Sequence, residues 1–228
     1  IITCMNGIPH WYFHKLENKY ANYKIKCLDP NLLIDTILPP DNIVGSVVYP
    51  ACEIVKPGTI KHIAGNRFSL GEPEGSESDR LKFISDILKR AGFRAPIQKN
   101  IRDEIWLKLI GNLSFNPISA LTGATLEQIC NDQGTEAIVR AMMTEAKIIA
   151  EELGAKINMS IEKRIEGARK VGAHKTSMLQ DIEAGKPIEI DSIIIAVKEL
   201  GELTCSPTPY IDTILNLTLQ KAKLIGCL

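Results

Sequence analysis

The feature that most limits how this chain can fold is a change of pattern near Gln98. Before it, short apolar runs end at glycine and proline turns. Residues 43–49, 59–64 and 67–71 read as strands separated by Pro57-Gly58 and Gly65-Asn66, an antiparallel extension of a sheet. Residues 1–5 read as a buried strand entering the turn Asn6-Gly7, where glycine supplies a positive φ. Residues 77–91 have the helical period with Gly92 as C-cap, and 93–97 could return as a last strand. After Gln98 the strand signals stop. Thr125-Leu-Glu-Gln128 is a capping box opening a helix that runs to Gly154. Residues 160–171 form another, 192–200 a third closing at Gly201, and Thr208-Pro209 starts a last one reaching about Leu224. The expected fold class is α/β followed by all-α, with domains at 1–98 and 99–228.

Within the helical part, residues 100–117 carry most information. Lys108, Asn112 and Asn116 follow at i, i+4 spacing on one stripe. Ile101, Ile105, Leu109 and Leu113 form a second stripe, widened by Trp106 and Ile110 into a face that should be buried. Asn100 is placed to cap the helix, and Pro117 is expected to disturb its far end. A lysine on a helix edge usually just snorkels to solvent. Two asparagines in line with it are explained neither by propensity nor by apolar packing, whereas a small oxygen-rich ligand explains all three.

Composition excludes several classes. Among 228 residues there are 27 basic and 27 acidic side chains, for a formal net charge of zero. That balance, without a long basic run, argues against nucleic acid or an anionic membrane as main partner. No apolar run is long enough to span a bilayer. The six cysteines, Cys4, Cys27, Cys52, Cys130, Cys205 and Cys227, stand singly without a CxxC pair, so a reducing cytoplasm fits best. His10 and His14 lie i, i+4 in HWYFH, but no third ligand is evident. We expect no metal there, and a helix carrying exposed or packed histidines.

The motif W-x-K-L-x-x-N-x-x-x-N-P, as Trp106 to Pro117, resembles the ketopantoate reductase family. Ser177-Met-Leu-Gln-Asp-Ile followed by Glu189-Ile-Asp191 looks like that family's S-M-x-Q-D-x…E-I-D signature, and Met5-Asn6-Gly7-Ile8 resembles its N-G turn. The three blocks occur in the family's order and span almost the whole chain. The resemblance implies an incomplete Rossmann-type NADP-binding domain at 1–98 and an all-helical substrate-binding and catalytic domain at 99–228. No G-x-G-x-x-G occurs in the sequence, although the family begins with that phosphate loop. The chain is therefore expected to be a truncated form whose own NADPH binding is weak, with Ile1, Ile2 and Ile8 left as apolar surface that promotes self-association.

The same resemblance implies the roles. Lys108 would be the catalytic proton donor, with Asn112 and Asn116 orienting the substrate's hydroxyl and carbonyl. Ser177 would take its carboxylate, the alternative being that Thr176 or Ser177 only caps a helix. Asn6 would touch both substrate and nicotinamide, and Ala51, with Glu189, would contact the cofactor. Glu189 would also steady Lys108, while Asp181 and Asp191 would be structural. The implied reaction is NADPH-dependent reduction of a 2-oxo acid, ketopantoate first, with a small molecule as partner and a homodimer as an option. Two alternatives stand beside it: a β-hydroxyacid dehydrogenase, or a non-catalytic substrate-binding or dimerising remnant.

Overall fold

The computed structural model describes residues 1–228. They form two compact units, Ile1–Lys24 with Asn31–Ile105, and Ile25–Pro30 with Trp106–Leu228. A small sheet region followed by helices gives the α/β then all-α order expected from the sequence.

In the first unit, β1 (Ile2–Cys4) runs parallel to β2 (Val44–Val48), and β2 pairs antiparallel with β5 (Phe68–Gly71). The order β1-β2-β5 leaves β1 at an edge. Ile2 in this strand is 40% exposed and Ile1 just before it 69%, so the strand is not the buried one read from its sequence, and these two residues form the apolar surface expected of a strand without its sheet neighbours. Ile8, expected at the surface, is instead fully buried together with Trp11, Tyr12 and Phe13. The segment containing His10 and His14 is a run of turns rather than a helix. Its register is set by Arg102, which donates to the carbonyls of Tyr12 and His14 at 2.7 and 2.8 Å. These bonds fix backbone carbonyls that a helix would have consumed internally. Trp11 packs on Gly45, where any Cβ would come within 2.8 Å of the indole ring.

The residues after β2 depart from the expected sheet extension. Ala51–Lys56 is a strand, β3, which turn-counting overlooked, and it pairs only with β4 (Thr59–Ala64) as a separate two-stranded sheet. Pro57-Gly58 is thus a hairpin turn, with Gly58 at φ 77°. The short helix α1 (Leu33–Ile37) precedes this region, and α2 (Asp79–Arg90) follows it, capped by Ser78 and ended near Gly92 at φ 89°. Residues 93–97 do not form a full strand. They approach β5 through isolated parallel bridges at Arg94 and Ile97, and Pro96 between them has no amide to donate.

The second unit is helical. Ile101–Thr122 (α3) contributes residues to both units; α4 (Leu126–Asn131), α5 (Gln133–Glu152), α6 (Ile161–Val171), α7 (Ser177–Glu183), α8 (Ala196–Thr204) and α9 (Pro209–Ile225) belong here. Pro117 lies inside α3 and does not end it. The far end is held from outside: the Lys221 ammonium donates to the carbonyls of Ala120 and Leu121 at 2.5 and 3.1 Å, satisfying orphan acceptors of the last turn. The expected single helix from Thr125 to Gly154 is broken at Asp132, whose extended backbone and side chain recap the chain by accepting from the Thr135 amide at 2.8 Å. The capping box at Thr125 is present. Gly201 does not close α8, which continues to Thr204 and ends at Cys205 with φ 56°. The glycine is there for close approach, since a Cβ would meet Thr208 Cγ2 at 2.8 Å. Glu145 on α5 caps α9, accepting from the amides of Tyr210 and Ile211, both at 3.0 Å.

Candidate active site

Helix α3 is buried on more than the predicted face. Ile101, Trp106, Leu109 and Leu113 are inaccessible as expected, but so are Ser114, Phe115, Ile118 and Ala120 on other sides. In such a helix every polar side chain needs a reason. Along the polar stripe Lys108 and Asn112 are half-buried, and Asn116 is buried at 5% exposure. Asn116 stays helical despite the proline after it.

Burial draws the Lys108 ammonium down to about 8; the Glu189 carboxylate opposes that shift, and the Arg164 guanidinium adds to it. Lys108 is therefore still charged at neutral pH, yet gives up its proton far more readily than an ordinary lysine. Glu189 sits in the segment between α7 and α8, where Ile188 and Ile190 are buried and Pro187 and Glu189 exposed. That alternation turns the carboxylate away from the apolar packing, and the Ile188 amide anchors the segment by donating to the Cys227 carbonyl at 3.0 Å. A π-helical turn, Asp191–Ile195, follows at once and runs into α8. Such wide turns recur beside functional residues. Asp181 on α7 is raised by burial and then by Glu189, and lowered by Lys186.

The structure thus brings Glu189 into electrostatic range of Lys108, with Asn112 and Asn116 on the next turns of the same helix. Ser177 is the exposed first residue of α7; the N-cap is Thr176, whose hydroxyl accepts from the Leu179 amide. Asn6 and Ala51 belong to the first unit. They follow the carboxyl ends of the parallel neighbours β1 and β2, on one edge of that sheet, with Gly7 at φ 80°. Carboxyl ends of parallel strands are where open α/β sheets bind ligands. Arg164 is the charged neighbour of Lys108 that sequence reading missed. One arginine in a helix full of charges carries no pattern; only the glycine at 111, three residues after Lys108, hints at a neighbour that must come close. No group of three His, Cys, Asp or Glu side chains is placed to hold a metal ion. No helix is long and apolar enough to cross a membrane, and all six cysteines are free thiols.

Comparison with known proteins gives a consistent result. Residues 100–222 match the family described as ketopantoate reductase PanE/ApbA, C terminal. A 2-dehydropantoate 2-reductase of Mesorhizobium japonicum is 49% identical over 227 residues, covering 100% of this chain and 70% of its own length. A crystal structure from Ralstonia solanacearum MolK2, whose name assigns it to the ketopantoate reductases, superposes with a TM-score of 0.95 at 39% identity, over 100% of this chain and 69% of that one. The complex of D-mandelate dehydrogenase with NADH shares the fold, with a TM-score of 0.80 at 20% identity, over 98% of this chain and 70% of that one. The chain spans a smaller share, 59%, of a 26% identical 2-dehydropantoate 2-reductase from Archaeoglobus fulgidus, which matches 77% of this chain.

Proposed function

The chain belongs to the ketopantoate reductase family, and from that premise we propose that it carries the proton donor and substrate contacts of an oxidoreductase reducing 2-dehydropantoate to pantoate. The cofactor we assign is NADPH, and the product feeds pantothenate and coenzyme A synthesis in the cytoplasm. Residues 1–98 act in this reading as the nucleotide-binding side and 99–228 as the substrate and catalytic side. The small-molecule 2-oxo acid is the principal partner, with a second copy of the chain as the candidate macromolecular one.

The observation that carries the proposal is the setting of Lys108: half-buried on the stripe it shares with Asn112 and Asn116, drawn down to about 8 by burial, with the Glu189 carboxylate opposing that shift. Bound nicotinamide supplies hydride to the carbonyl carbon. As the C=O bond becomes C–O⁻, the Lys108 ammonium opposes the growing negative charge and then transfers its proton to the oxygen, leaving a neutral amine and a 2-hydroxy acid. A donor near pH 8 needs little driving force to do this. Asn112 and Asn116 can both donate and accept, which suits the carbonyl and hydroxyl of the substrate. Ser177 takes the substrate carboxylate, Asn6 touches both substrate and nicotinamide, Ala51 borders the cofactor, and Glu189 keeps Lys108 charged while contacting the cofactor's ribose or the substrate hydroxyl.

The test is Lys108→Ala in the protein as its gene encodes it. Turnover should fall by on the order of a hundredfold to ten-thousandfold, Asn112→Ala should chiefly raise KM, and Glu189→Ala should cost less than Lys108→Ala. Near-normal turnover of ketopantoate by Lys108→Ala would return the lysine to the role of a solvated helix edge.

A further inference from the structure

We propose that Glu104, in the first turn of α3, is a positioning residue for the cofactor: through the Tyr49 hydroxyl it holds the chain at Ala51 in the conformation that the nicotinamide cofactor needs. This rests on the functional reading above, in which Ala51 borders the cofactor, and adds the groups that set that border.

Glu104 lies one turn before Lys108 and extends the i, i+4 stripe of Lys108, Asn112 and Asn116 toward the helix start. The helix dipole favours an acid in a first turn, but Asp103 gives that benefit while only part-buried. Glu104 is 7% exposed, and such burial of a carboxylate is costly unless donors engage it. Its Oε1 accepts from Tyr49 Oη at 2.6 Å, from Arg67 Nη2 at 2.5 Å and from Ser69 Oγ at 3.1 Å. Arg67 also donates from Nε to Ser69 Oγ at 2.8 Å, and its guanidinium lies 5.0 Å from the centre of the Tyr49 ring. The tyrosine is thus clamped twice, hydroxyl on carboxylate and face on cation.

Tyr49 and Pro50 join β2 to β3, and their backbone is held on both sides. The Tyr49 amide donates to the Arg67 carbonyl at 3.0 Å, carrying the β2–β5 pairing one residue further. Gly65, at φ 74°, closes on the other side: a Cβ there would lie 2.8 Å from the Tyr49 carbonyl oxygen and 3.3 Å from Pro50 Cα. Ala51 then pairs with Ala64. The helix start is itself seated on the sheet, since a Cβ at Gly71 would come within 2.7 Å of Ile101 Cβ. The first turn of α3 therefore holds both segments that leave the carboxyl ends of the parallel strands β1 and β2. Arg102 holds the one after Asn6, through the Tyr12 and His14 carbonyls, and Glu104 the one leading to Ala51. A border fixed in this way meets the cofactor without being ordered by it. Without the bond between Tyr49 and Glu104 the segment populates other conformations, and cofactor affinity falls by the fraction that stays competent. The substrate contacts assigned above lie on other segments, so the KM for ketopantoate is not tied to this bond.

The experiment compares wild type, Tyr49→Phe, Glu104→Ala, Glu104→Gln and the Tyr49→Phe/Glu104→Ala pair in the protein as its gene encodes it. NADPH is titrated by its fluorescence, and initial rates give KM for NADPH and for ketopantoate separately. Tyr49→Phe deletes one oxygen and keeps the ring against Arg67. Its Kd and KM for NADPH should rise about tenfold, the scale of one hydrogen bond to a charged acceptor, while KM for ketopantoate at saturating NADPH stays within about twofold. Glu104→Ala should weaken NADPH at least as much, and Glu104→Gln, which keeps an acceptor oxygen, should recover part of that loss. Tyr49→Phe should add little in the Glu104→Ala background, because the bond is already gone. An unchanged NADPH Kd in Tyr49→Phe, with only a lower melting temperature, would make the cluster structural and overturn the proposal. Equal rises in both KM values, or additive losses in the pair, would overturn it too. If Glu104→Ala does not fold, the split between the two KM values in Tyr49→Phe decides alone. Wild type that neither binds NADPH nor reduces ketopantoate would remove the functional reading and this inference with it.

Discussion

The depressed Lys108 makes a sharp prediction about pH. With the ammonium ionising at about 8, the protonated fraction is roughly 0.9 at pH 7 and roughly 0.1 at pH 9. A lysine at the ordinary 10.5 would stay almost wholly charged over that range. If Lys108 donates the proton, kcat/KM for ketopantoate reduction should drop about tenfold from pH 7 to pH 9, then about tenfold per further pH unit. Oxidation of pantoate by the oxidised cofactor should run the other way, rising through the same region, because that direction needs the neutral amine. Initial rates in both directions, followed by nicotinamide absorbance, give the two limbs. The Glu189 carboxylate favours the charged lysine, so Glu189→Gln should carry both limbs to lower pH. A reduction rate flat to pH 10 in wild type would refute Lys108 as donor, and a shift to higher pH in Glu189→Gln would refute its pairing with Glu189.

Two further predictions concern the frame around the site. Glu145→Ala strips the cap from the start of α9 and leaves the buried Ile211 amide and the part-buried Tyr210 amide without their acceptor, so chemical denaturation should show a loss of about 1–3 kcal/mol. Gly201→Ala forces a methyl to within 2.8 Å of Thr208 Cγ2 and 3.2 Å of the Ser206 carbonyl, and a thermal melt should show a destabilisation of about 1–3 kcal/mol.

What the sequence made legible, and what it hid, follows from the range of the interactions involved. Local signals held: the Thr125 capping box, Gly154 at φ 90°, and Pro209 at the first turn of α9 are all present. The failures share a non-local cause. Pro117 has no amide to offer, yet α3 persists because tertiary packing buries it and Lys221, about a hundred residues away, holds its last carbonyls. Gly201 looked like a helix stop because glycine usually relieves backbone conformation, whereas here it relieves a contact with Thr208. The stretch 10–14 had helical spacing, but Arg102 takes its carbonyls. Strand β3 was lost because Pro57-Gly58 was read as the boundary before one strand instead of the turn joining two. In the site, the i, i+4 stripe revealed Lys108, Asn112 and Asn116, since periodicity survives in sequence. The meeting of Lys108 with Glu189 was reachable only through family resemblance, and that with Arg164 not at all, because spatial neighbours on different helices leave no periodic trace.

The charge on Lys108 also sets a cost in stability, and its sign can be worked out. Burial lowers the folded-state ionisation to about 8 from 10.5. Between those values the unfolded chain binds a proton that the folded protein does not, so this residue makes stability rise with pH across that window. Below pH 8 the penalty is present in full; above 10.5, where both states are neutral, it is gone. Lys108→Met removes the charge and keeps an apolar stem, so it should stabilise the fold at pH 7. A dry site would give roughly 3 kcal/mol, and a half-buried side chain screened by solvent should give about 1–2 kcal/mol. The gain should fade between pH 8 and 10.5 in urea titrations of variant and wild type, while the variant's turnover collapses at every pH. If Lys108→Met proved less stable than wild type at pH 7, attraction to Glu189 would outweigh desolvation, and the lysine would be held by its ion pair rather than kept at the cost of stability for catalysis.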